Sequence, residues 1–347
     1  MKAVTFTDHG TTDVIEYGEV PAPEIGADDV LFDVKAGALN HLDVWVRRGL
    51  PTLELEMPHI PGSDAAGVVR EVGSDVTRFE PGDRVALAAG VGCGTCEFCR
   101  DGDETLCETY HLIGEHVPGV HAEQAAVPAD NLVPVPEHVD WVTAGSSCLV
   151  FQTAWRMLID RADLEAGESV LVLGASGGVG HAAVQIADHA GATVYATGSS
   201  EEKLAAAEEY GASHALNYEE DDVVGWIKSE TDGRGVDVVV DHIGMATWQD
   251  SIKSLARGGR LVTCGATTGP NPRTDIARIF WKQIQILGST MATPGQVDDV
   301  MALLWDGTFE PAIREVLPMS ETARGHELLE DREGFGKVVL RPDSELE

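Results

Sequence analysis

The chain has 347 residues, 43% of them hydrophobic, which is enough to bury sizeable cores and is read as two domains of about 150 residues rather than a disordered polymer. Asp and Glu number 58 against 24 Lys and Arg, and the resulting charge of −34 excludes nucleic acid and anionic membranes as partners, because phosphate binding needs the opposite sign. The opening "MKAVTFTDHG" carries no apolar stretch behind its lysine and no apolar run reaches the roughly 18–20 residues of a membrane span, so a soluble cytoplasmic protein without a signal peptide is expected.

Residues 1–148 are rich in β-branched residues, with turn signals such as "PAPEIGADD", "PGSDAAG" and "VPGVHAE" at short intervals, a rhythm that predicts a small irregular β-barrel. Within it, Cys93, Cys96, Cys99 and Cys107 follow the spacing C-x2-C-x2-C-x7-C. Four thiolates without histidine make a closed tetrahedral shell, the arrangement of one structural Zn²⁺ per chain, with no open position for water or substrate. An iron–sulfur cluster is the alternative, and disulfides suit a cytoplasmic chain poorly.

From 149 to 290 the texture becomes apolar strand, glycine-rich turn and alanine-rich helix in alternation, which predicts a doubly wound parallel sheet. The strand at 169–173 runs into Gly174, Ala175, Ser176, Gly177, Gly178, Val179 and Gly180 and then a helix. Such glycines allow a tight turn and let backbone N–H groups and a helix N-terminus approach a pyrophosphate, so the unit is read as a dinucleotide site. An NAD site usually shows a carboxylate about twenty residues later, on the ribose 2′-hydroxyl. Here Ser199, Ser200 and Lys203 stand in its place, and Glu201 and Glu202 read as first-turn residues behind a serine cap. Hydroxyls and an ammonium suit a 2′-phosphate, so NADP(H) is expected over NAD. The tail, 291–347, holds a helix and the strand "GKVVLRP", expected to return and complete the first domain. Acidic residues lie throughout ("EEDD" at 219–222, "EDRE" at 330–333), which predicts a salt-loving host, since molar salt cuts the range of such self-repulsion from about 10 Å to about 3 Å.

On the cysteine lobe, the glycine turn and the barrel-like first half, the chain resembles the medium-chain dehydrogenase/reductase family over essentially its full length. The resemblance implies a GroES-like β-barrel domain (1–148 and 291–347) joined to a Rossmann domain (149–290). Zinc alcohol dehydrogenases of that family hold a catalytic zinc with Cys in "C-H-x-D", His in "G-H-E" and a Cys or Asp ahead of the Rossmann domain. This sequence has "NHLD" at 40–43 and "PGSD" at 61–64, so Asn40 and Ser63 replace Cys and His, and only Cys148 matches a ligand position. His41 and His59 could form a rearranged site; the alternative is that they are polar or core histidines and Cys148 an inert buried thiol. The same substitutions resemble the quinone oxidoreductase branch, which reads "N-x-x-D" and "P-G-S-D-x-A-G", works without catalytic zinc and uses Lys and Tyr at the positions of Lys203 and Tyr218 for the 2′-phosphate. That branch usually lacks the cysteine lobe.

The resemblance implies hydride transfer from NADPH to an enone, quinone or enoyl thioester, whose developing enolate needs only oriented hydrogen-bond donors. Asn40, Trp45 and Asp64 are the candidate catalytic positions: Asn40 with nearby backbone N–H groups on the carbonyl, Trp45 as an apolar wall, and Asp64, like Asp43, fixing local backbone rather than moving protons. Arg48 reads equally well as a surface ion pair. Thr153, Cys264, Gly265 and Ala266 occupy positions that pass the nicotinamide in the family. The rival readings are an alcohol or polyol dehydrogenase with a rebuilt zinc site and a non-enzymatic NADPH-binding protein. Relatives commonly form dimers or tetramers, and "IQILGST" (284–290) could pair as an edge strand.

Overall fold

The computed structural model describes residues 1–50 and 53–346. They form two compact units, one of Met1–Leu149, Thr293–Glu333 and Lys337–Glu347, the other of Val150–Ala292 with Gly334–Gly336.

The first unit is built on a seven-stranded sheet around the ten-residue strand Asp29–Ala38. Along one path the order is Ile313–Pro318, Lys337–Arg341, Asp29–Ala38, Ala65–Val72, Arg84–Leu87 and Leu132–Pro134, while Gln124–Pro128 pairs separately with Asp29–Ala38. Its inward residues are apolar and lie in the core (Val30, Phe32, Val34, Ala36 and Ala38 are at most 2% exposed). Register shifts at Leu31/Phe32 and Val34/Ala36 make the sheet irregular, as bulges do. The tail strand does return: Val339 pairs with Ala38 and Leu340 with Gly37.

The second unit is a six-stranded, wholly parallel sheet in the order His214–Asn217, Thr193–Gly198, Ser169–Val172, Val236–Val240, Leu255–Thr263 and Gln285–Gly288. The strand order reverses at Ser169–Val172, so the crevice outside its carboxyl end is where a doubly wound sheet binds a dinucleotide. Val170, Leu171, Val172, Val238, Val239 and Val240 are all fully buried, as the helix-covered strands of a parallel sheet require. Each such side chain contributes about 1.5–3 kcal/mol on burial. Three tail residues also join this unit: Gly336 N–H donates to Ser176 O at 3.0 Å, and Phe335 stacks on Tyr210 with ring centroids 5.6 Å apart. No helix is long and apolar enough to cross a membrane among the described residues.

Candidate active site and metal lobe

In the first unit, Asn40 ends the strand Asp29–Ala38 by capping the helix His41–Arg48, and its backbone N–H donates to Asp43 Oδ2 at 2.7 Å. The Asn40 side chain then closes a buried polar clasp. Its Nδ2 donates to Asp64 Oδ2 at 2.9 Å, and its Oδ1 accepts from the ammonium of Lys337. Lys337 lies 3.2 Å from Asp64 Oδ2, with the two side chains 3% and 1% exposed. Asp64 Oδ1 accepts the Leu149 backbone N–H at 2.9 Å, so both carboxylate oxygens are held. The second Nδ2 hydrogen of Asn40 makes a long, weak bond of 3.4 Å to Ala38 O.

The other residues at the lost ligand positions are also engaged. Ser63 Oγ donates to Ile113 O at 2.7 Å. Cys148 is 1% exposed, and its thiol is pushed well above the usual range by burial, with Asp64 adding to the effect. His59 is bonded to Gly114 O through Nε2 at 3.2 Å and packs on Phe6, while His41 meets Trp45 edge-on with ring centroids 5.4 Å apart. Arg48 pairs with Glu330 at 2.8 Å, as does the buried Arg47. A metal beside Asn40 and Asp64 would have to share its ligands with a buried ammonium.

In the second unit the glycine turn lies at the carboxyl edge of the sheet. Gly177 caps the helix Gly178–His189, and Gly174 N–H is fixed by Thr197 Oγ1 at 3.2 Å. A Cβ at Gly180 would come within 2.2 Å of Gly174 O, so only glycine lets helix and turn pack this closely. Lys203 Nζ donates to Ser199 Oγ at 2.8 Å, Ser200 Oγ caps the helix Glu201–Glu209, and Tyr218 follows the neighbouring strand. Cys264, Gly265 and Ala266 follow the strand Leu255–Thr263 at the same edge, and burial pushes the Cys264 thiol up to about 12. Thr153 is buried, its Oγ1 3.9 Å from Met291 Sδ. The turn fits a dinucleotide: it is built of glycine and small residues and leads directly into a helix N-terminus, where backbone N–H groups can meet a pyrophosphate.

The sulfurs of Cys93, Cys96, Cys99 and Cys107 all lie within 4.8 Å of one another, the one such convergent set of ligand groups among the described residues. Backbone N–H groups of Thr95 and Cys96 point at Cys93 Sγ (3.4 and 3.3 Å), and that of Cys93 at Cys107 Sγ (3.4 Å), donors that favour thiolate. The set fits a four-thiolate metal.

Comparison with known proteins agrees with both halves. Residues 26–137 match the alcohol dehydrogenase GroES-like domain, and residues 178–306 match the zinc-binding dehydrogenase family. An acryloyl-coenzyme A reductase of Metallosphaera sedula is 33% identical over 98% of this chain and 99% of its own. A quinone oxidoreductase of Rattus norvegicus is 30% identical over 98% of this chain and 97% of its own. The crystal structure of an NAD-dependent alcohol dehydrogenase superposes with a TM-score of 0.95 at 42% identity, covering 98% of this chain and 99% of that one. The chain belongs to the medium-chain dehydrogenase/reductase superfamily. It is therefore an oxidoreductase that binds a nicotinamide cofactor, built from a GroES-like domain and a Rossmann domain.

For a medium-chain dehydrogenase/reductase, each unit holds groups that sequence reasoning missed. Lys337 was legible only as the first residue of a strand, although it is one of just 7 lysines. Asp241, fully buried at the end of Val236–Val240, accepts from the N–H groups of Ile243 and Gly244 and from Thr247 and Ser251, and so shapes the loop after that strand. His121 fills the space left by Gly62, whose φ of +108° and lack of a Cβ are both needed: a Cβ there would meet the ring at 2.4 Å.

Two buried histidines of the first unit make stability depend on pH. Burial lowers His121 to about 4, against partial support from Ala38 and Asp64; Lys337 adds to the lowering. Burial lowers His326 to about 3, and the nearby Arg47 guanidinium, followed by the His121 and His41 rings, reinforces it. Both fold neutral but protonate near 6.5 when unfolded, so their stabilisation is complete above about 6.5 and is lost as pH falls toward 4 and 3. Asp43, raised by burial to about 7, works oppositely, favouring the fold below about 4 and losing that effect as pH rises to 7. Removing one ring by His326→Leu is expected to reduce the proton uptake on unfolding at pH 5 by about one proton, flattening the stability curve by about 1.4 kcal/mol per pH unit. Urea midpoints across pH 4.5–6 measure this; an unchanged slope refutes it.

Proposed function

We propose that this chain is a cytoplasmic NADPH-dependent reductase that adds hydride to an activated alkene (an enone or enoyl thioester) or to a quinone without a catalytic metal. The observation that carries this reading is the Asn40–Asp64–Lys337 clasp. Where alcohol dehydrogenases of the superfamily gather zinc ligands, this chain presents an amide and a carboxylate already neutralised by a buried ammonium. The acryloyl-coenzyme A reductase and quinone oxidoreductase relatives support the substrate class.

The cofactor would lie on the turn Gly174–Gly180, with Thr153 and Cys264, Gly265 and Ala266 along the nicotinamide and Ser199, Ser200, Lys203 and Tyr218 on the 2′-phosphate. When bound, reduced nicotinamide supplies a hydride to an electron-poor carbon. The chain's own part is electrostatic: the weakly bonded N–H of Asn40, released from Ala38 O, and the backbone N–H groups opening the helix His41–Arg48 receive the oxygen on which negative charge develops. Lys337 and Asp64 are positioning residues that hold the Asn40 amide in one orientation. Trp45 supplies apolar surface, and the enolate carbon takes its proton from solvent. One zinc on the four cysteines would act structurally. A homodimer would form through Gln285–Gly288, an edge strand whose Gln285 and Ile286 are exposed.

The 42% identical NAD-dependent alcohol dehydrogenase favours a second reading, alcohol oxidation with a rebuilt metal site. A panel of quinones, enals and enoyl-CoA esters, assayed with NADPH in molar KCl on metal-analysed protein, separates them. The expected result is alkene or quinone reduction with one zinc per chain; two zincs and alcohol turnover overturn it. In the same assay Lys203→Ala is expected to raise the KM for NADPH about tenfold or more and leave that for NADH unchanged, since NADH lacks the 2′-phosphate that the ammonium would meet. Equal changes for both cofactors would place Lys203 outside the 2′-phosphate site.

A further inference from the structure

The carboxyl edge of the parallel sheet carries the dinucleotide turn; its opposite, amino edge carries an unrelated concentration of positive charge. Lys228 ends the helix Val223–Glu230, Arg234 precedes the strand Val236–Val240, Arg257 sits early in the strand Leu255–Thr263, and Lys282 ends the helix Ile276–Lys282. With Gly233 and Ala256 these four line one cavity of about 310 Å³. In a chain with 58 acidic and 24 basic residues, four cations around one hollow run against the whole composition.

The usual reason for such a cluster, neutralisation by nearby carboxylates, covers only one of them. Arg234 pairs with Asp237. Lys228 meets the carbonyls of Gly233 and Arg234 at 3.4 and 3.3 Å and the Lys282 side chain, Arg257 meets the carbonyl of Trp281 at 3.0 Å, and Lys282 also meets that of Leu255. Among the described residues no carboxylate lies within ion-pair distance of these three. Like charges held together without a counter-ion destabilise the fold, and more so where they are partly buried. Lys282 shows this: burial, then repulsion from Lys228, Arg278 and Arg257, push its ammonium down to about 8. Each side chain retains donors beyond the carbonyl it meets, and the guanidinium adds a planar fork suited to two oxygens of an oxyanion.

We infer that the cavity among Lys228, Arg257 and Lys282 is a binding site for a phosphate-bearing small anion, separate from the dinucleotide site. The hollow exceeds the volume of a single phosphate group, which leaves room for the body of a phosphate ester. Its concave shape fits a small molecule better than carboxylates presented by a second copy. The inference does not depend on which substrate the enzyme reduces.

The test is calorimetric titration of the full chain with inorganic phosphate and, separately, phenyl phosphate. NADP⁺ is kept saturating so that the dinucleotide site is closed to both, and KCl fixes ionic strength. The expected result is saturable binding of at least one probe, weakened about tenfold in Lys282→Gln and about a hundredfold in Arg257→Gln/Lys282→Gln. Tighter binding of phenyl phosphate assigns an ester, and tighter binding of inorganic phosphate assigns the free ion; both support the site. Without added anion, the double variant is expected to unfold at the same or a higher temperature than the parent, because repulsion has been removed, so a binding loss cannot come from misfolding. Equal affinity in parent and variants, or no saturable binding, overturns the inference. So does a double variant that changes only the oligomeric state, since the cations would then serve a second copy's acids.

Discussion

Lys337→Met is expected to destabilise the protein by about 3–5 kcal/mol, because it leaves Asp64 as a buried carboxylate without a counter-ion. Asp64 would keep its bonds from Leu149 N–H and Asn40 Nδ2, which are polar but carry no net charge. Adding Asp64→Asn removes the uncompensated charge, so the double variant should recover most of the loss. Urea unfolding of the parent, both single variants and the double variant measures the coupling. A single-variant loss under about 1 kcal/mol, or a double variant no better than Lys337→Met, would mean that the clasp is not a buried ion pair in energetic terms. The double variant should also reduce kcat while restoring stability: without the ammonium on Oδ1, the Asn40 amide is free to rotate. That separates positioning from mere support of the fold.

The second large effect is expected at the cysteine lobe. Between Cys93 and Cys107 the chain buries little: Cys93 is exposed, Leu106 is 53% exposed, and the helix Glu97–Arg100 is a single turn with no buried residue. A segment this poor in apolar burial gains little to offset its own ordering entropy, and the proposed metal on the four sulfurs would supply the missing cross-link. Cys96→Ser is expected to release the metal, lower the thermal midpoint by several degrees or more, and leave the kcat of molecules that remain folded within about threefold. Metal analysis, calorimetry and initial rates on one preparation decide it. A metal-free variant with an unshifted midpoint removes the structural role, and a kcat that falls in proportion to metal content would return the lobe to catalysis.

What was legible in the sequence was what neighbours in the chain dictate. The strand–turn–helix at 169–189 is specified within about twenty residues, by three buried valine and leucine positions and by glycines that a Cβ would obstruct. The cysteine spacing likewise carries its own geometry within fifteen residues. The replacement of Cys and His by Asn40 and Ser63 could be read, but not what took over their place. The answer is Lys337, 273 residues away from Asp64 along the chain and brought back by a strand that pairs with Asp29–Ala38. The basic hollow was hidden for the same reason: its cations come from four separate segments, and each alone looks like an ordinary residue at the end of a helix or strand.

The position of that returning strand has a consequence for biosynthesis. Lys337–Arg341 lies between Ile313–Pro318 and Asp29–Ala38, yet it is made some three hundred residues after the strand it joins. All strands of the parallel sheet have emerged by Gly288, so that unit can close on the ribosome while the other still lacks a central partner. During that interval Asp64 has no ammonium to meet, and burying it alone would be prohibitive. Its carboxylate must stay hydrated, and the surrounding sheet open, until translation has nearly finished. The strand that neutralises Asp64 is thus also the one that allows the first unit to lock, and a nascent chain stalled ahead of Lys337 should remain soft there and be readily cut by protease.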